Sequence, residues 1–315
     1  MSLISVKNLA RYYGNYCAIN DISFTLNAGD ILGFLGPNGA GKSTTMQILS
    51  GNLAPNEGEV LINGIDLLDQ PRQAKASIGY LPEVPPLYKE MTVDEYLDYC
   101  AKLHRIEKHE IKHAIELAKK RCGLIDTGKR LICNLSKGYQ QRVGIAQAIL
   151  HSPKVIILDE PTVGLDPNQI REIRQLITEL GKDHGIILCS HILPEIQAVC
   201  NRIQIINEGK LVYETSKDQL LDKQETNSYE VTLLNPPPIH DLNNINHVNE
   251  VEQLSDNIFL FQLSKNTAED LSRAAVENNW GLNKLVPHNQ TLEQIFVELT
   301  LGETENITNN TGQNA

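Results

Sequence analysis

The chain has 315 residues, a formal net charge of −11 and 41% apolar residues. That length allows about two domains with cores of their own, and the acidic balance argues against a general polyanion binder, because nucleic-acid phosphates call for basic surfaces. Six scattered cysteines (Cys17, Cys100, Cys122, Cys133, Cys189 and Cys200) without a C-x-x-C pair fit reduced thiols of a cytosolic protein better than a metal or disulfide framework.

The start, Met1-Ser2-Leu3-Ile4-Ser5-Val6-Lys7, lacks a signal-peptide pattern. Apolar runs such as 155–158 and 186–189 are too short to span a bilayer, so any membrane role is expected through a partner or a surface contact. Strands are expected at 3–9 and 19–26, with Tyr12-Tyr13-Gly14-Asn15 as the turn region between them. A buried strand is expected at 30–35. It runs into Gly36-Pro37-Asn38-Gly39-Ala40-Gly41-Lys42-Ser43-Thr44, the G-x-x-x-x-G-K-[ST] pattern of a P-loop, and a helix follows to Leu49. Glycines let successive N–H groups turn into one concavity, and the helix N-terminus adds partial positive charge there. Lys42 can then reach the β- and γ-phosphates, and Ser43 can offer its hydroxyl to Mg²⁺. This stretch predicts binding of a nucleoside triphosphate.

Residues 58–64 read as a hairpin-like segment and 77–82 as a strand ended by Pro82. After Pro85-Pro86 the pattern turns helical, over an insertion of about 86–135. Thr92 and Glu95 form a capping box, and helices run to about Leu103 and from about 109 to 121. A further helix opens at Leu135-Ser136-Lys137-Gly138-Tyr139-Gln140-Gln141-Arg142. The order strand 155–159, helix 168–182, strand 186–190 and hairpin 203–213 argues for a largely parallel α/β core. In the strand ending Leu158-Asp159-Glu160, Asp159 is placed to serve Mg²⁺, on the ion or one shell out. Glu160, one residue further, can accept a proton from, or orient, the water that attacks the γ-phosphate.

A domain boundary is expected near 222–228, separating domain 1–222 from domain 228–301. The second domain, with strands at 229–234 and 258–263 and helices at 268–278 and 291–301 (Thr291 as N-cap), fits a small α+β domain of split-βαβ type. The Asn/Thr-rich tail 302–315 carries almost no apolar residues and is expected to be disordered.

The segment from Leu135 to Arg142, between the P-loop and the Asp159-Glu160 strand, resembles the L-S-G-G-Q signature of ATP-binding-cassette (ABC) ATPases. The ordered set of motifs over about 1–220 is similar to that family as a whole. The resemblance implies a P-loop ATPase fold with an antiparallel β subdomain and an α-helical insertion. It implies Tyr13 stacked on adenine, and Gly36, Asn38, Gly39, Ala40, Gly41, Lys42, Ser43 and Thr44 around the phosphates and Mg²⁺. Asp159 would serve the metal, Glu160 the attacking water, Gly164-Leu165-Asp166 the dimer seam, and His191 the γ-phosphate. Ser136 and Gly138 would close over the ATP of a second copy, so that two ATPs are sandwiched in a homodimer. Three positions depart from the family pattern. Glu83 stands where the family has glutamine, and a carboxylate there can still ligate Mg²⁺ or water. Tyr139 replaces the signature glutamine. Lys137 replaces its first glycine, as an extra cation for phosphate or as a solvated side chain. The same substitutions, and the closing helix Thr291–Thr300, resemble the branch that serves exporters of the ABC-2 type. That branch implies a cytosolic subunit on the inner face of the membrane, partnered by a separate permease, with no nucleic acid. The rival is a soluble ABC ATPase acting on nucleic acid or ribosomes.

Overall fold

The computed structural model describes residues 2–217, 219, 228–264, 268–288 and 292–301. The segment 222–227, the expected N-cap Thr291 and the tail from Gly302 lie outside the described residues. The described residues divide into two compact units, 2–217 with 299–301, and those between 219 and 298.

The first unit is built on two sheets. β1 (Ser2–Tyr13), β2 (Tyr16–Asn27), β4 (Glu57–Ile62) and β5 (Ile65–Asp66) form an antiparallel sheet in the order β2-β1-β4-β5. β1 and β2 run further than the sequence pattern suggests. Tyr12 and Tyr13 pair with Cys17 and Tyr16, and only Gly14-Asn15 turns the chain. β4 and β5 are joined by Asn63-Gly64, both at positive φ, as a tight two-residue hairpin requires.

The second sheet has six strands in the order β10-β9-β3-β8-β7-β6. These are β3 (Ile31–Leu35), β6 (Ile78–Leu81), β7 (Val155–Asp159), β8 (Gly185–Ser190), β9 (Arg202–Asn207) and β10 (Lys210–Ser216). Five run parallel, and β10 returns antiparallel at the edge. β3, β7 and β8 are buried at every residue. That burial explains why they read as unbroken apolar runs rather than alternating ones. One core cluster joins the sheets, with Ile22, Phe24 and Leu26 of β2 meeting Leu32, Phe34, Ile157 and Ile187. The rings of Phe24 and Phe34 lie 5.8 Å apart. Burying such side chains contributes on the order of 2 kcal/mol each.

Helices α1 (Lys42–Leu49), α2 (Pro71–Lys75), α5 (Lys137–Ile149), α6 (Pro167–Leu180) and α7 (Leu193–Val199) connect the strands. The insertion carries α3 (Val93–Leu103) and α4 (Ile111–Arg121). α3 starts at the expected capping box: Glu95 N–H donates to Thr92 Oγ1 at 3.2 Å, and Thr92 N–H donates to Glu95 Oε2 at 2.8 Å.

His104, the C-cap of α3, stacks on His151 with ring centroids 3.9 Å apart and nearly parallel planes. His151 Nε2–H donates to the carbonyl of Ile78 at 3.0 Å, while its buried Nδ1 finds no partner among the described residues. Burial, then the neighbouring His104, pushes His151 down to about 4. With a folded value below the unfolded 6.5, this histidine contributes its full stability above pH 6.5. It loses up to about 3 kcal/mol of it as pH falls toward 4. Urea unfolding at pH 7 and pH 4.5 checks this: the midpoint should fall less in His151→Phe than in the parent.

The second unit has β11 (Ser228–Leu233), α8 (Ile239–Asn243), β12 (Val248–Ser255), β13 (Ile258–Leu263), α9 (Ala268–Glu277) and β14 (Leu282–Pro287), in a wholly antiparallel sheet of order β12-β13-β11-β14. This is the βαββαβ arrangement of the split-βαβ type. Phe259, Phe261, Val231 and Leu271 fill its core. The chain continues into α10 (Leu292–Leu301), where Leu292 and Ile295 are buried.

Candidate nucleotide site

The parallel sheet decides where the chemistry collects. Leu35 pairs with Ser190, Asp159 with Cys189, and Leu81 with Leu158. The carboxyl ends of β3, β8, β7 and β6 therefore finish level, and the loops that follow emerge side by side. This is the edge at which open α/β sheets bind ligands. It collects the P-loop, His191, Glu160 and Glu83.

A cavity of about 360 Å³ opens there, lined by Tyr13, Asn38, Gly39, Gly41, Lys42, Ser43, Thr44, Glu83, Glu160 and His191, with Tyr16, Ala18 and Val163. Ten residues named from sequence thus converge on one space. Gly36 and Ala40 do not line it. A Cβ on Gly36 would strike the backbone oxygen of Ile206, and Ala40 packs into the shared core. Gly41 caps α1 at φ 104°, and a Cβ there would stand 2.6 Å from the carbonyl of Ala18. Both positions keep the loop close to its neighbours and so shape the concavity.

Lys42 is buried. Its Nζ donates to the carbonyls of Gly36 at 2.7 Å and Pro37 at 3.0 Å, so the loop grips the ammonium and leaves one of its three protons for phosphate. Tyr13 ends β1, with the Arg11 guanidinium 5.0 Å from its ring centroid, and about half of it is exposed for stacking.

Glu160 leaves β7 with φ +48°, a left-handed conformation that costs a non-glycine residue about 1–3 kcal/mol. Its N–H donates to the Cys189 carbonyl at 2.9 Å, and its Oε1 accepts from His191 Nδ1–H at 2.8 Å. Its Oε2 is buried with no partner among the described residues, and so is Oδ1 of Asp159. Burial pushes the Asp159 carboxyl up. Glu160 and Glu83 add to this, while the Cys189 thiol and Lys42 oppose it.

Two orphaned carboxylate oxygens and several carboxylates facing one lysine make a site short of positive charge. A hard divalent cation satisfies that donor set. Among the described residues no group of three or more His, Cys, Asp or Glu is arranged to hold a metal. Mg²⁺ takes one or two protein oxygens and completes its shell with phosphate and water.

Ser136 and Gly138 are not at this cavity. Ser136 caps α5, its Oγ accepting from Tyr139 N–H at 3.4 Å, and is exposed. Gly138 is buried against Gln169 of α6, and the exposed Lys137 lies over Gly164. Tyr139 is exposed, with the Arg142 guanidinium 5.8 Å from its ring.

Sequence reasoning missed Tyr16, Ala18 and Val163. Tyr16 could have been found as the hairpin partner of Tyr13. It also missed a buried trio, Thr162, Ser190 and Glu195, joined behind His191. That trio depends on α7, which the pattern around Pro194 did not reveal.

Residues 19–163 match the ABC transporter family. The chain is 35% identical to the bacitracin transport ATP-binding protein BcrA of Bacillus licheniformis, over 96% of this chain and 99% of that one. It is 34% identical to the ABC transporter ATP-binding protein YhcH of Bacillus subtilis, over 96% and 97%. Among solved structures it is similar to an ATP-binding subunit of an ABC transporter, with 31% identity and a TM-score of 0.64 over 70% of this chain and 93% of that one. It is also similar to the dimeric bacterial cassette MJ0796, with 25% identity and a TM-score of 0.62 over 68% and 98%.

Proposed function

Because this chain belongs to the ATP-binding subunits of ABC transporters, we propose that it powers an exporter of the ABC-2 type by closing as a homodimer on ATP and reopening after hydrolysis. The observation that carries the reading is the convergence of Lys42, Glu83, Glu160 and His191 on one cavity, while Ser136 and Gly138 stand away from it. A signature that cannot reach its own nucleotide calls for a second copy. The similarity to a dimeric cassette supports that arrangement, and the similarity to a bacitracin transport protein over nearly the whole chain supports export.

In this reading Tyr13 stacks on adenine. The loop N–H groups from Asn38 to Thr44 and the Lys42 ammonium hold the phosphates. Glu160 takes the proton of the attacking water, and His191, hydrogen-bonded to Glu160 through Nδ1, offers its other nitrogen toward the γ-phosphate. Ser43, Asp159 and Glu83 would hold Mg²⁺, which when bound neutralises charge developing on the phosphates. Ser136 and the α5 N-terminus close over the partner's γ-phosphate.

No helix among the described residues is long and apolar enough to cross a membrane. We therefore assign the span to a separate permease, with this subunit on its cytoplasmic face. The segment from Glu83 to Tyr88 and the insertion pass the motion on. Val84 and Tyr88 are exposed there, and Tyr88 packs edge-on against Tyr96 and Tyr99. Purification of the tagged chain from detergent-solubilised membranes tests the reading. Recovery of an integral membrane protein is expected, and recovery of ribosomes or DNA with no such protein would overturn it.

A further inference from the structure

We propose that Glu195 is a positioning residue for hydrolysis, the buried anchor that keeps His191 and Glu160 in register. This rests on the reading of Glu160 and His191 as the pair that handles the attacking water. Glu195 sits in the first turn of α7 and is only 2% exposed. Its Oε2 accepts from two hydroxyls, Thr162 Oγ1 and Ser190 Oγ, the latter at 3.2 Å. Those donors are 3% and 0% exposed. Thr162 lies two residues after Glu160, and Ser190 immediately precedes His191. Ser190 Oγ also accepts from Ile192 N–H at 3.0 Å, so the backbone on both sides of His191 is tied to one carboxylate.

The need for an anchor is visible in the pair itself. The His191 side chain is 42% exposed, so packing does not fix it. Glu160 holds a left-handed backbone that relaxes unless its surroundings impose it. The 2.8 Å contact between them joins two loops from adjacent strands. Glu195 is the only side chain among the described residues that hydrogen-bonds to both loops just behind the pair. A buried carboxylate costs free energy unless its oxygens are satisfied. Two hydroxyl donors to Oε2 offset part of that cost and in return fix the spacing of the loops. A displacement of about 1 Å at the reacting groups is enough to cost about a hundred-fold in rate.

The experiment is steady-state ATP hydrolysis by the full chain, with ¹⁵N-histidine spectra of the same samples. Glu195→Leu keeps most of the volume but offers no oxygen to either hydroxyl. It is expected to lower kcat ten- to a hundred-fold with KM for ATP within about two-fold, and to shift the His191 Nδ1 resonance. Thr162→Val should lower kcat in the same way, and Thr162→Ser, which keeps the donor, should restore it. Equal kcat in the valine and serine variants, or an unmoved His191 resonance in Glu195→Leu, would overturn the proposal. If Glu195→Leu does not fold, the Thr162 pair decides alone. His191→Ala and Glu160→Gln serve as controls. If they hydrolyse ATP at the parent rate, the reading of the catalytic pair fails. If they are inactive while the Glu195 and Thr162 variants match the parent, only the anchor fails.

Discussion

Glu160→Gln is expected to bind ATP as the parent does, to hydrolyse it about 10³-fold more slowly, and to accumulate as an ATP-bound dimer. The amide has the shape of the carboxylate, and its oxygen can still accept from His191 Nδ1–H. What it lacks is basicity, so it cannot take the proton of the attacking water, a role commonly worth 10²–10⁴ in rate. The substitution also removes one of the charges that push the neighbouring buried Asp159 upward, so the fold should not suffer. In the proposed cycle, binding closes the dimer and hydrolysis opens it. Stopping the second step therefore traps the first. Phosphate release and light scattering with and without Mg-ATP read both effects. Turnover at the parent rate would remove Glu160 from the mechanism.

Ser136→Arg should separate binding from closure. Ser136 stands outside the cavity that holds Lys42 and His191, so a single chain should bind nucleotide with unchanged affinity. The same substitution should abolish dimer formation and reduce turnover to the level of an isolated chain, because a bulky side chain would stand where, in the proposed dimer, the partner's γ-phosphate docks. Loss of the cap costs about 1 kcal/mol of helix stability, too little to unfold the unit. Mixing this variant with Lys42→Ala gives a sharper test. Each chain lacks a different half of the composite site, so a mixed pair retains one intact site and should recover part of the activity that neither variant has alone. No recovery, together with loss of nucleotide binding by Ser136→Arg itself, would place Ser136 at its own chain's site.

Much of the fold was legible because burial and backbone chemistry are written locally. β3, β7 and β8 are central parallel strands, apolar at nearly every residue, and no other element makes that pattern in so few residues. The P-loop and the Thr92–Glu95 capping box depend on residue types at fixed short spacing. The edge strands β12 and β14 escaped notice for the opposite reason. β12 buries only Val251, and β14 buries no residue fully and ends in Pro287. Strands with little burial carry little periodicity. α7 was hidden by Pro194, which starts that helix rather than breaking one.

By itself the sequence determined which groups are the candidates for the chemistry. Phosphate binding by a glycine-rich loop, a lysine and a hydroxyl is local, and so is a strand that delivers Asp159 and Glu160 together. Only the tertiary structure decided how those groups meet. The level register of β3, β8 and β7 sets His191 against Glu160 across 31 positions of sequence. Burial then makes Asp159 and Glu160 short of partners. The carboxylate of Glu195, in a helix the pattern did not disclose, ties the two loops from behind. Local chemistry is set by neighbours in the chain. Distance, desolvation and strain are set by neighbours in space, and those exist only after the sheet has paired.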